Sequence, residues 1–160
     1  MCIRDSESTI VDCTAQPPHL LRPGQLLAAE IAATLGLPEG DLLRAAELSP
    51  RVAGALPAHY APRTPLRILP HAQIEARWAT AMQAGQRIGV LALSPHAQAP
   101  AANWIALPND AAAYAQQLYA VLRQLDAAEL EEIWVEALPS AASWLALRDR
   151  LARAEHGSGR

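Results

Sequence analysis

The sequence predicts an α/β protein with a mostly parallel sheet, and three observations carry that prediction. Strand-like and helix-like segments alternate from residue 66 onward. One of them, Ile88-Gly89-Val90-Leu91-Ala92-Leu93, is a continuous apolar run of the kind that parallel strands show when both faces of the sheet are covered. The intervening helical stretches are amphipathic, with polar residues on one face.

The elements follow in order. Thr9-Ile10-Val11-Asp12-Cys13 is short and rich in β-branched residues, and Pro17-Pro18 separates it from His19-Leu20-Leu21-Arg22. Two strands joined by a turn are predicted. Pro23-Gly24 stops the second strand, and Leu27, Ile31 and Leu35 then mark one side of a short helix that ends at Gly36, a residue suited to the left-handed position after a helix. From about Glu47 to Pro65, four prolines and Gly54 exclude a regular helix or a central strand, so this stretch is predicted to be a stiff, extended linker.

Beyond the linker, Leu66–Leu69 is predicted to be a strand, Ala72–Ala84 a helix closed by Gly85, and Trp104–Leu107 another strand. Asn109 is the expected N-cap of a long helix whose buried face is Tyr114, Leu118, Val121, Leu122 and Leu125. Ile133-Trp134-Val135 is the last strand, and Trp144, Leu147 and Leu151 stripe the closing helix. Tyr114, Tyr119 and Trp134 are expected in the core.

Composition excludes several chemistries. All thirteen basic residues are arginines, which rules out a P-loop lysine, a Schiff-base lysine or a lysine phosphate clamp within this chain. The net charge is −3 and no basic run is present, so no nucleic-acid face is expected. Cys2 and Cys13 lack the spacing of a zinc site or a disulfide framework, and His19, His71, His96 and His156 show no ligand spacing. No metal site is expected. Glu129, Glu131 and Glu132 are expected as a solvated turn. Gly85-Gln86-Arg87-Ile88-Gly89 enters a strand instead of leaving one, which is wrong for a dinucleotide loop. No apolar run approaches the roughly 20 residues of a membrane span, and the N-terminus lacks a signal-peptide core. A cytoplasmic protein is expected. Met1 to Ser6 read poorly as a domain start, which suggests an incomplete reading frame.

Three segments, taken in order, resemble the long, two-domain form of threonylcarbamoyl-AMP synthase. Glu7-Ser8-Thr9-Ile10-Val11-Asp12 with Leu20-Leu21-Arg22-Pro23-Gly24 is similar to the closing motif of its YrdC-like catalytic domain. Pro50-Arg51-Val52-Ala53-Gly54-Ala55-Leu56, leading to His59-Tyr60-Ala61-Pro62, resembles the family's linker. More weakly, Ala115–Tyr119, Leu122–Asp126 and Arg150–Ala154 resemble two helices of the terminal domain, with a departure at Trp144-Leu145, where small residues are more usual.

The resemblance implies three parts: the end of a YrdC-like catalytic domain over residues 7–46, a linker or lid over 47–65, and a small Rossmann-like accessory domain over 66–154. It implies an enzyme that converts L-threonine, bicarbonate and ATP, with Mg²⁺ carried mainly on the phosphates, to threonylcarbamoyl-AMP and pyrophosphate. The product would pass to a tRNA threonylcarbamoyl transferase.

Arg22 suits ATP, because a planar guanidinium binds two phosphate oxygens at once; without the motif it would read as a solvated strand-end arginine. Ser8 offers a hydroxyl for the threonine carboxylate, where the bland reading is a strand-start serine. Tyr60 has two readings, contact with ATP as the resemblance implies, or anchoring of the linker together with His59. Arg51 is a lid residue, more readily solvated than phosphate-bound. No catalytic residue is expected in this chain, and the chain alone is expected to be inactive. The competing class is a non-catalytic α/β ligand-binding or protein-interaction module, since small α/β folds serve many functions.

Overall fold

A computed structural model describes residues 8–24, 26–44, 61–97 and 103–159. It begins with an antiparallel pair, β1 (Ile10–Asp12) and β2 (His19–Arg22). Thr14 closes the turn between them: its backbone N–H and its hydroxyl both donate to Asp12 Oδ1, at 2.8 and 2.6 Å, ahead of a cis Gln16–Pro17 bond. The side-chain bond from Thr14 comes first in holding the Asp12 carboxyl below the usual carboxylate range.

Helix α1 (Ala28–Leu35) follows, with Gly36 in the left-handed region at φ 66°. Its inward face differs from the sequence expectation. Ala28 and Ala32 are buried with Ile31 beside them, against Val11, Leu20 and Leu42, whereas Leu35 is 43% exposed. Leu42 lies on a short helix, α2 (Glu39–Leu42), which was not expected as a separate element. Small alanines let α1 approach the hairpin closely, and packing thus overrides the leucine spacing.

The second part is a four-stranded, wholly parallel sheet. Its strands are β3 (Leu66–Leu69), β4 (Ile88–Ala92), β5 (Trp104–Ala106) and β6 (Glu132–Glu136), in spatial order β3-β6-β4-β5. β6, last in sequence, pairs with β3 on one side and β4 on the other. Three helices complete the layers: α3 (His71–Gln83), α4 (Ala111–Asp126) and α5 (Leu145–Gly157).

The period-two alternation of the strands sorts the core into two halves. Ile88, Val90, Ala92 and Trp134 meet Ile74, Trp78 and Ala81 of α3. Leu91, Ile133 and Val135 meet Tyr114, Leu118 and Leu125 of α4 and Leu147 and Leu151 of α5. Covered on both faces, β4 is buried throughout, which explains its continuous apolar run. Each fully buried aliphatic side chain here contributes on the order of 1.5–3 kcal/mol before conformational entropy is counted. The expected buried face of the long helix is found as read, while its N-cap is Asp110, not Asn109: Asp110 Oδ1 accepts from Ala113 N–H at 2.9 Å.

Two further expectations change. Glu132 is a strand residue whose carboxylate accepts from Arg67 and from the indole N–H of Trp134, while Glu129 occupies the turn at φ 52°. Trp144, where the resemblance departs, is buried in a 3-10 turn (Ala142–Trp144), edge-on to Tyr114 at 5.5 Å.

The outer edge of β3 is closed by the last turn of α5 and the residue after it. Leu66 N–H donates to Ser158 Oγ and Ile68 N–H to Glu155 Oε1, at 2.9 and 2.8 Å, so these edge amides are capped by side chains. No described helix is long and apolar enough to cross a membrane.

Candidate functional site

Two of the predicted site residues come together at the head of β1. Arg22 ends β2 opposite Ile10, and the register slips between Ile10 and Val11, which places an irregularity beside the arginine. The Arg22 guanidinium reaches back along β1 and donates from Nε (3.1 Å) and Nη2 (2.9 Å) to the backbone carbonyl of Ser8. A fork of two N–H groups on one oxygen fixes the guanidinium in orientation as well as in position.

Thr9 supplies a second tie, which the sequence reading missed. Its hydroxyl donates to the Leu26 carbonyl at 3.2 Å and accepts from Leu26 N–H at 3.1 Å. The Arg-Pro-Gly turn is thus fastened to the strand head at both ends, by adjacent residues. The signal was the Ser8-Thr9 pair itself, two adjacent hydroxyl residues at the head of a strand. Downstream, Glu30 accepts from Leu27 N–H at 3.0 Å and so holds one of the free amides at the start of α1.

A cavity of about 740 Å³ opens nearby. Gly24, Leu27 and Glu30 line one side of it, Asp110 and Arg150 the other, and neither Ser8 nor Arg22 borders it. His59, Tyr60 and Arg51 lie outside the described residues. The linker is described only from Ala61, where Ala61 and Pro62 lie against Tyr119, Leu122 and Asp126 of α4 around a cavity of about 170 Å³. Tyr119 is therefore half-buried beneath the end of the linker instead of lying in the core. Just beyond, Thr64 N–H donates to Asp126 Oδ1 at 2.8 Å.

The histidines are less scattered than the sequence suggests. His71 Nε2 and His96 Nε2 lie 3.7 and 3.3 Å from opposite oxygens of Glu75, and His71 Nδ1 lies 3.5 Å from Glu136 Oε2. Glu136 also accepts from Leu93 N–H at 2.8 Å, and His96 stacks near Trp104 at 4.7 Å. This network stitches the carboxyl ends of β3, β4 and β6. Among the described residues no group of three or more His, Cys, Asp or Glu is arranged to hold a metal ion.

Fold and site define a hairpin and helix bearing a serine–arginine contact, joined to a small α/β domain with helices on both faces of a parallel sheet. The chain belongs to the threonylcarbamoyl-AMP synthase C-terminal domain family, whose model matches residues 26–155. It is 31% identical to the threonylcarbamoyl-AMP synthase of Bacillus subtilis (strain 168) over 157 residues, which cover 94% of this chain and 45% of that protein. The chain thus spans about half the length of the relative it matches.

Among solved structures, the crystal structure of P. abyssi Sua5 complexed with L-threonine superposes with a TM-score of 0.74 at 25% identity, covering 96% of this chain and 47% of that one. A double alanine variant of P. abyssi Sua5 gives a TM-score of 0.67 at 23% identity, over 95% and 46%. The mixed α/β fold with a parallel four-stranded sheet agrees with these structures.

Proposed function

We propose that this chain forms the C-terminal part of an enzyme that makes threonylcarbamoyl-AMP. The observation that carries the proposal is the Arg22–Ser8 contact: the phosphate candidate and the threonine candidate stand on one another within a chain of this family.

In this reading threonine and bicarbonate condense to a carbamate with loss of water. A carbamate oxygen then attacks the α-phosphorus of ATP, and pyrophosphate leaves. Ser8 would hold the threonine carboxylate, and Arg22 would neutralise charge on the triphosphate as the bond to pyrophosphate breaks. Mg²⁺ would enter on the phosphates; the described residues offer no acidic cluster to hold it. Residues 7–46 would close the catalytic domain and residues 66–154 form the accessory domain. The stretch 47–65 would act as a lid, with Tyr60 toward ATP and His59 and Arg51 along the segment, excluding water from a labile carbamate. The product would pass to a tRNA threonylcarbamoyl transferase in the cytoplasm.

The test is pyrophosphate release from ATP with Mg²⁺, L-threonine and bicarbonate, by the full-length protein that carries these residues. Arg22→Ala is expected to cost ~2–4 kcal/mol of transition-state stabilisation, the scale for removing one preorganised charge-stabilising donor. Equal rates in the variant would make Arg22 structural only. The 160-residue chain alone is expected to give no turnover.

A further inference from the structure

The ladder of β1 and β2 ends at the Ile10–Arg22 pair, and the core of this part of the chain resumes only at Ala28. Between those points runs the Arg-Pro-Gly turn. Neither strand pairing nor burial among the described residues holds its far end, where the Leu26 side chain is 60% exposed. One hydroxyl holds it instead. Thr9 Oγ1 donates to the Leu26 carbonyl at 3.2 Å and accepts from Leu26 N–H at 3.1 Å, so a side chain takes both backbone groups of that residue as a neighbouring strand would.

We propose that Thr9 is a positioning residue for the reaction: its clasp on Leu26 keeps the turn that follows Arg22 set against the head of β1, and so sets where Arg22 meets ATP. This role presupposes that Arg22 meets ATP, as given under Proposed function. Thr9 itself donates to no substrate, because a hydroxyl has one proton to give and that proton is committed to Leu26. Threonine suits the position on two counts. Its branched carbon favours the extended backbone of a strand head, and its hydroxyl supplies the clasp. Valine has the same shape without the hydroxyl.

The test is steady-state pyrophosphate release by the full-length protein and its Thr9→Val, Thr9→Ser and Thr9→Cys forms, with ATP and L-threonine varied in turn and a denaturant melt of each form. Thr9→Val keeps the shape and removes the clasp, and is expected to raise KM for ATP about three- to tenfold, the range set by losing a hydrogen bond. Thr9→Ser keeps the hydroxyl and is expected to hold KM for ATP within about twofold of wild type. Thr9→Cys, a weak donor and acceptor, is expected to fall between them, and it decides the question if Thr9→Val does not fold. A clasp that merely stabilised the fold would lower the denaturant midpoint and the active fraction, hence kcat, and leave KM alone. Unchanged KM for ATP in the deciding variant, or a serine form as poor as the valine form, would overturn the inference while leaving the functional reading standing. No pyrophosphate release by the wild-type protein would overturn that reading itself, and the inference with it.

Discussion

Asp126 shows how a single carboxylate ties the approach to β3 onto α4. Burial pushes its carboxyl up, but hydrogen bonds from Thr64, backbone and hydroxyl, and the nearby Arg63 outweigh that and hold it below the usual carboxylate range. A group depressed in the folded state contributes stability above its unfolded value of 3.8, and that contribution is lost as the pH falls through the folded value. Asp126→Asn is therefore expected to lower stability at pH 7 by about 1–2 kcal/mol. In denaturant melts across pH, its gap from wild type should narrow once the pH drops below 3.8.

Tyr114 is the opposite case. Its hydroxyl is buried without a hydrogen-bond partner among the described residues, and burial, aided by Glu136, pushes the phenol well up. Removing an unsatisfied hydroxyl while keeping the ring against Trp144 leaves the packing intact. Tyr114→Phe should melt at or above the wild-type temperature, and a loss of more than about 1 kcal/mol would show that the hydroxyl has a partner. The sequence marked Tyr114 as core through its place on the helix face. The missing partner depends on which strand end lies above it, and no local pattern encodes that.

Among the elements, β4 has the most exacting packing. A Cβ built on Gly89 would stand 2.5 Å from Leu130 Cδ1 and 2.9 Å from Leu125 Cδ2. The close atoms are side-chain methyls, Leu125 from α4 and Leu130 from the loop after it, so an added methyl has to push these leucines aside. Gly89→Ala is expected to destabilise by about 1–3 kcal/mol, the cost of overpacking a dense core, read as a lowered denaturant midpoint. The strands and long helices were legible because period two and period 3.6 are written directly in Ile88–Leu93 and in Tyr114–Leu125. The face of α1 was misread because its alanines, not its leucines, meet the hairpin. Capping passed from Asn109 to Asp110 because adjacent polar residues offer equal chemistry one position apart. Of the candidate site, Ser8 and Arg22 were readable as candidates through their motif; their mutual contact was not, since it depends on the register of a two-stranded pair.

For the whole molecule, the order β3-β6-β4-β5 places the last strand between the first two of the parallel sheet, so neither half of residues 66–136 has a complete sheet without the other. The His71–Glu75–His96–Glu136 network ties the same strand ends that this interleaving brings together. Long-range pairing of this kind commits the chain to closing large loops before its core is rewarded, which slows folding relative to a helical bundle of equal length.

The closure of the β3 edge by Glu155 and Ser158 also brings Gly159 against Pro65, where an added Cβ would lie 3.3 Å from the proline ring. The residue before β3 and the residues after α5 thus lie side by side, as the two strands of a rope do at a knot. Two segments held side by side in this way can be joined by a short connection without stretching the fold between them. What protects a sheet edge also draws two points far apart in the chain together, from residue 65 to residue 159.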